Sequence, residues 1–566
     1  MKHFKNKIIK GIKQFIGGFY TDRELEQIIQ NTTKPGFGDF SFPCFDLSKK
    51  WCYSNPTELA QDIKENVNWD KSLNPEVKKG YINFNVTLDD LITHTLNETS
   101  KKEKEYGKNN IGKGKMVVLD YSAPNIGKPL HVGHIRSTIL GDSIIKILNF
   151  NGYNTWGINY LGDVGLHIGK ILVAYDEWGD KKKLKKNPEE EILNLYISFC
   201  KKEKSDKIYT EKAKVIVDRL EKGDKNLERT LKFISDMSMI AFNRVYDLLD
   251  VKFDEITGQS KFSDIGKKAV QELLNKSVAY KDENGGIVAN LKNHNLPNKA
   301  ILRSDGTAIY STQDLGALKY RKETFNFDKL LYVVASEQEL YFKQVFKIIE
   351  SGGYEWAKDC KHINFGMINL KEGKMSTREG KIVYLEEVLN KAIDKAREVI
   401  EEKNPTLKNK DYISKIVGVG AIKYMVLGVD YGRNIEFSWD KALNLSGNSA
   451  TYIQYTHARA SSILRKAGKE LTTFKPKDLT NEYETNLIKK IGSFPLVVES
   501  AARTFKPHII SNYANELSIN FNQFYNKVTV LQSEDKLDSR LCLVRSYKTT
   551  VDNAMGLLGI RLPEGM

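Results

Sequence analysis

The tightest constraint on the fold is the stretch from Asp120 to Gly141. A short apolar run, Met116-Val117-Val118-Leu119, leads into it and suits a buried strand. Pro124, Gly127 and Pro129 then hold the chain out of regular structure. Beyond them Ile135, Ile139, Leu140, Ile144, Ile147 and Leu148 recur at helical spacing. His131-Val132-Gly133-His134 therefore falls where a turn gives way to a helix N-terminus. Free backbone N–H groups and the positive end of the helix dipole favour phosphate there. Two imidazoles can donate to phosphate oxygens, and the glycine between them leaves room for a flat ring. The stretch points to nucleotide chemistry.

At 566 residues the chain is long enough for several domains. No apolar run is long enough to span a bilayer. Met1 to Tyr20 carries Ile8, Ile9, Ile12, Phe15, Ile16 and Phe19 at helical spacing, but lysines and Gln14 interrupt them. That excludes the continuous apolar core of a signal peptide and predicts an amphipathic helix packed on its own domain. Cys44, Cys52, Cys200, Cys360 and Cys542 are scattered, without CxxC or histidine partners at zinc spacing. Reduced thiols, no tightly bound metal and a cytoplasmic location are expected. The formal charge of +15 is compatible with a polyanion such as nucleic acid, and equally with lysine-rich solvated loops.

Three domains are expected: 1–108, 109–382 and 383–566. The first is α+β. Pro56 opens a helix, and Gly80 to Val86 alternates like a strand with Tyr81, Asn83 and Asn85 on one face. Those three could meet an unpaired base, or form an ordinary solvated face. Lys101 to Lys115 reads as a linker. The second domain is α/β, a doubly wound parallel sheet with a helical insertion at about 180–260. Lys181 to Lys186 is read as a solvated charge run. Ser304-Asp305-Gly306 is read as a hairpin turn, with Thr307 to Tyr310 as the returning strand. Leu330 to Ala335 suits a buried parallel strand. Lys374-Met375-Ser376-Thr377-Arg378 lies in a basic, glycine-containing loop of the kind that closes over a triphosphate. The third domain is a helical bundle. In it Tyr455 and Arg459 belong to an aromatic and basic stretch suited either to single-stranded RNA or to a core.

These residues resemble a known family. His131-Val132-Gly133-His134 is similar to the HxGH signature of class I aminoacyl-tRNA synthetases, and Lys374 to Arg378 to their second signature loop. Ser122 to Pro129 and the loop form Met-Ser-Thr-Arg-x-Gly resemble arginyl-tRNA synthetases in particular. The similarity extends over nearly the whole chain, including Gly38-Asp39-Phe40, Asp305 to Asp314, Gly447-Asn448 and Leu557 to Ile560.

The resemblance implies ATP-dependent activation of L-arginine to arginyl-adenylate, then transfer to the terminal adenosine of tRNA(Arg). ATP is a substrate, Mg2+ is expected with it, and no organic cofactor is implied. His131 and His134 would hold the phosphates, and Gly133 would let adenine lie against the backbone. Lys128 would replace the lysine that Thr377 displaces from the second loop, with Lys374, Met375, Ser376 and Arg378 also at the triphosphate. Loss of one such donor commonly costs ~10²–10³ in rate. Asp120, Asn125, Tyr310, Asp314 and Gln259 map onto arginine contacts, with Asp314 the carboxylate for the guanidinium fork. Tyr81 and Asn83 would meet the tRNA elbow through its D-loop, and the helical bundle the anticodon through Tyr455 and Arg459. A monomer is expected.

Three positions depart from the family pattern. Gln259 stands where Glu is usual in Gly258-Gln259-Ser260, Tyr341 where a His follows the strand ending at Ala335, and Leu445-Ser446 where an acidic or aromatic pair is commoner. Three alternatives stay open: a class I synthetase for another amino acid, an HxGH adenylyltransferase without tRNA, and a non-catalytic tRNA-binding relative.

Overall fold

The structure is a computed structural model that describes residues 1–32, 37–370, 384–444, 447–468 and 473–566. Four strands, β1 (Gln30–Asn31), β2 (Phe40–Pro43), β3 (Leu73–Lys78) and β4 (Tyr81–Val86), form a sheet ordered β1-β2-β4-β3. The helix Lys2–Ile16 turns Phe4, Ile8, Ile9, Ile12 and Ile16 inward, as the amphipathic spacing predicts. The helix Pro56–Asn66 begins at its proline, with Asn55 accepting from the backbone of Thr57 and Glu58.

The centre of the molecule is a five-stranded sheet. It begins with β5 (Met116–Asp120), β6 (Asn154–Leu161) and β7 (Glu255–Gly258). After the small antiparallel sheet of β8 (Ala279–Lys281), β9 (Ile287–Ala289) and β10 (Lys299–Leu302) it is completed by β11 (Lys329–Ala335) and β12 (Cys360–Phe365). The order is β12-β11-β5-β6-β7, and every pairing is parallel. The strand order reverses beside β5, which opens a crevice at the carboxyl ends of the strands. The unbroken apolar run in β5 follows from burial on both faces. Val118 packs with Ile158, Tyr160, Leu330 and Tyr332, while Val117 and Leu119 join the core on the other side. The helix Val132–Phe150 covers that second side, and the helix Tyr310–Phe325 covers the first.

Five helices intervene between β6 and β7: Leu166–Trp178, Lys181–Lys186, Pro188–Ser205, Ile208–Glu221 and Lys225–Leu249. The lysine run is thus a short helix, because Asp180 accepts from the backbone of Lys182 and Lys183. A second departure concerns residues 303–310. Gly306 N–H donates to Arg303 O at 3.1 Å, so the turn forms, but no strand returns. Tyr310 instead opens the helix Tyr310–Phe325, with the Thr312 hydroxyl accepting from Ile309 N–H at 2.9 Å.

The C-terminal part is helical, in the segments Leu385–Lys403, Lys410–Leu427, Ala450–Ala467, Glu482–Thr504, His508–Lys527 and Leu537–Leu557. One strand breaks the pattern: β14 (Ile435–Phe437) pairs in parallel with β13 (Ile368–Leu370). Arg136 ties this part to the central helix. Its guanidinium is 1% exposed and donates to the carbonyls of Gly366, Arg433 and Tyr431 at 2.5, 2.8 and 3.1 Å. Among the described residues no helix is long and apolar enough to cross a membrane.

Candidate active site

The turn between β5 and the helix Val132–Phe150 is held in an unusual backbone. Ser122 and Ala123 have φ of 73° and 47°, in the region that side chains disfavour. Surrounding bonds fix them: Ser122 N–H donates to Ser137 Oγ at 2.8 Å, and Ala123 N–H to Asn159 Oδ1 at 3.2 Å. Gly127 also has positive φ, and a Cβ there would lie 2.8 Å from Ile171. Asn125 bridges to Gly162, whose bare Cα makes room for its carboxamide; a Cβ would fall 2.1 Å from Asn125 Oδ1.

His131 is the N-cap of the helix. Its Nδ1 accepts from Gly133 N–H at 3.1 Å, while His134 Nδ1 accepts from His131 N–H at 3.2 Å. A ring nitrogen that accepts carries no proton, so each neutral ring bears its hydrogen on Nε2. Burial lowers the pKa of both rings, with His134 brought down to about 3. The pair therefore offers two neutral N–H donors at a helix N-terminus. Gly133 has an additional reason to be glycine: a Cβ would lie 2.7 Å from Cε1 of His131.

Lys128 is half-buried, and burial lowers its pKa. Its Nζ lies 5.3 Å from the centre of the Tyr196 ring, on the insertion helix Pro188–Ser205. Lys374, Met375, Ser376 and Arg378 lie outside the described residues, as do Leu445 and Ser446.

Beside the turn, at the carboxyl ends of β5 and β6, is a cavity of about 550 Å³. Asp120, Asn125, Gln259, Tyr310 and Asp314 all line it, so three stretches far apart in the chain converge. Tyr310 and Asp314 share a helix face at i, i+4. Gln259 is set by its neighbours, since Ser260 donates to Asp163 through N–H at 2.9 Å and Oγ at 2.5 Å. The Gln259 Oε1 is buried and has no hydrogen-bond partner.

Asp120 is not free as a pair to the substrate. Its Oδ2 lies 2.8 Å from Arg321 Nη2, and both side chains are buried. Arg321 also donates to the Tyr332 hydroxyl at 2.9 Å. Arg321 compensates Asp120, which leaves Asp314 as the carboxylate of the wall with no guanidinium against it, while the Lys299 ammonium lies 4.8 Å from the centre of the Tyr341 ring. Burial pushes the Asp314 carboxyl up to about 6, against a hydrogen bond from the Tyr341 hydroxyl that favours its charged form. Tyr341 thus joins Asp314 in the wall of the cavity. Its role was not legible, because it rests on a contact between two helices. Gln338 and Lys299 also line the cavity and were missed. Gln338 had a usable signal, as it follows the end of β11 where such crevices open.

The expected RNA contacts divide. Tyr81 is half-buried, and its ring packs edge-on against Phe45 with centroids 5.0 Å apart. Asn83 corrects the expectation of an open face: it is 2% exposed and accepts from Ser41 Oγ at 2.8 Å. Its cross-strand partners are Ser41 on β2 and Glu76 on β3. On the helix Ala450–Ala467, Tyr455 is 42% exposed. The Arg459 guanidinium sits 5.0 Å from the Tyr455 ring and 4.6 Å from the Tyr525 ring. His457, between them in sequence, is buried.

Comparison with known proteins adds the following. The family described as "tRNA synthetases class I (R), catalytic domain" matches residues 94–439. "Arginyl tRNA synthetase N terminal domain" matches residues 2–86, and "DALR anticodon binding domain" residues 453–566. An arginine–tRNA ligase of Halothermothrix orenii is 40% identical, with 100% of each chain covered. One of Clostridioides difficile is 38% identical, again with 100% of each covered. The Thermus thermophilus arginyl-tRNA synthetase has the same fold, with a TM-score of 0.85 at 24% identity and 100% of each chain covered.

Proposed function

The chain belongs to the class I arginyl-tRNA synthetases, and from that premise we propose how its residues divide the work of charging tRNA(Arg) with L-arginine. In the first step an arginine carboxylate oxygen attacks the α-phosphorus of Mg–ATP, and pyrophosphate leaves with the electrons of the broken P–O bond. In the second, a ribose hydroxyl of the terminal adenosine attacks the carbonyl carbon of arginyl-adenylate, and AMP leaves. The chain supplies no covalent nucleophile. Its contribution is alignment and opposition of charge.

The observation that carries the assignment of arginine is the carboxylate of Asp314 in the cavity wall, left without a guanidinium partner because Arg321 is taken by Asp120. A guanidinium neutralises it and presents a planar fork of donors to the carboxylate. Arg321 already compensates Asp120, so a neutral side chain would leave Asp314 unpaired. The unpartnered Oε1 of Gln259 accepts a further N–H from the same fork. Gln259 has the length of the usual Glu and offers one neutral acceptor in place of its charge. Tyr310 lies against the substrate stem, and Asn125 meets the backbone end of the amino acid. The Nε2–H groups of His131 and His134, with the ammonium of Lys128, oppose the charge that develops on the phosphates. Lys374 and Arg378 approach the same phosphates from the second loop.

For the tRNA, the ring of Tyr81 meets the elbow, and Tyr455 with Arg459 meets the anticodon by stacking. Asn83 supports the strand from below rather than touching RNA.

ATP–pyrophosphate exchange, run with each amino acid in the presence and absence of tRNA transcripts, tests this reading. Exchange is expected with arginine alone and only when tRNA(Arg) is present. Exchange with another amino acid, or none under any condition, overturns it.

A further inference from the structure

Besides the packing of Ile171 at Gly127, three polar contacts among the described residues join the helical insertion to the turn between β5 and the helix Val132–Phe150. The Tyr246 hydroxyl bonds Ser122 Oγ at 2.9 Å, and Ser238 Oγ accepts from Gly127 N–H at 3.1 Å. Both belong to the helix Lys225–Leu249. The third contact, from the helix Pro188–Ser205, is the Tyr196 ring over the Lys128 ammonium at 5.3 Å. Two of the three hold residues with φ above zero, so the insertion stabilises a backbone the turn would not keep alone.

Tyr196 differs from the other two because it acts on a side chain. A lysine has four rotatable bonds and a point charge, so its ammonium is not located by its backbone. Burial of Lys128 disfavours the charged form, whereas the face of an aromatic ring favours it. Burial also pushes the Tyr196 phenol up to about 12, so the ring stays neutral and keeps that face. Cys200, one helical turn on, offers Lys128 no carboxylate. Among the described residues Lys128 has no ion pair, and the ring is its recorded cation contact.

We propose that Tyr196 is a positioning residue for adenylate formation, holding Lys128 charged and within reach of the phosphates, so that the insertion is part of the activation machinery. The proposal rests on the assignment of Lys128 to the phosphates made above.

The test is the kinetics of arginine-dependent exchange, with tRNA(Arg) present, for Tyr196→Leu, Tyr196→Met and Tyr196→Phe, each also combined with Lys128→Ala. Loss of the ring is expected to lower kcat roughly 5–30-fold, the scale of a half-buried cation–ring contact. KM for arginine should stay within twofold, and Tyr196→Phe should restore most of the rate. In the Lys128→Ala background neither Leu nor Met should cause further loss. Losses that multiply in the double variants, or equal losses in Phe and Leu, mean that Tyr196 only packs, and overturn the proposal. Full activity of Tyr196→Leu and Tyr196→Met overturns it too, provided Lys128→Ala is itself impaired. Full activity of Lys128→Ala instead overturns the assignment of Lys128 on which the proposal stands. Tyr196→Met keeps the side-chain volume without a ring, so it answers if the leucine variant does not fold.

Discussion

With Asp314 as the proposed partner of the guanidinium, this carboxyl should set how the enzyme responds to acid. It has a pKa of about 6 in the folded protein, raised from an ordinary value of 3.8 by burial. The guanidinium of arginine stays charged over this range, so binding needs the charged form of Asp314. That form is present above pH 6 and is lost as pH falls through it. KM for arginine should therefore rise about tenfold per pH unit below 6, while KM for ATP changes little. His134, at about 3, is already neutral there and does not account for the effect, and burial lowers the pKa of His131 as well. Tyr341→Phe removes a donor that favours the charged form. Its acid limb should move to higher pH, and an unmoved limb in the kinetic pH profile would contradict the role given to Tyr341. Asp314→Asn should raise KM for arginine by ~10²-fold or more at pH 7.5. An equal rise in KM for ATP would remove Asp314 from the guanidinium site.

At the scale of elements, the strand, turn and helix around Asp120 to Gly141 were legible because several signals agreed there. The apolar run, the prolines and the later helical spacing each allowed few alternatives. Their orientation was less legible: nothing in the sequence said that both Nδ1 atoms face the backbone. That geometry makes Gly133→Ala informative. The new methyl would press on His131, at 2.7 Å from Cε1. The ring must leave its cap position, and kcat for exchange should fall ~10–10²-fold with little change in melting temperature. The helix Val132–Phe150 also depends on Arg136 for its seat. Arg136→Met leaves the carbonyls of Gly366, Tyr431 and Arg433 without that donor, the first two of them buried, and should cost about 3 kcal/mol, visible as a lower midpoint in urea. Thr307 to Tyr310 was misread as a strand because its β-branched and aromatic residues suit one. The cap at Ile309 and the contacts of the helix with the sheet decide otherwise.

At the scale of the molecule, order along the chain indicated the α+β start, the parallel sheet with its insertion and the helical end. Contacts between these parts were not readable. Asp120 was expected to face the substrate, yet its partner Arg321 lies on the helix Tyr310–Phe325, and only folding brings them to 2.8 Å. Asn83 read as exposed because alternation along one strand cannot say which of its faces is covered. Likewise, the contacts from the insertion to Ser122, Gly127 and Lys128 join residues whose separation in the chain carries no signal. The whole assembly makes one claim above the others: the cavity selects a guanidinium for attachment to RNA. The most direct measurement is attachment itself, with a tRNA(Arg) transcript, Mg–ATP and radiolabelled arginine or lysine at equal concentration, resolved on an acid gel. The account predicts label from arginine at the terminal adenosine, loss of that label with Asp314→Asn at low arginine, and none from lysine. Label from lysine, or none from arginine at saturating ATP, would contradict it.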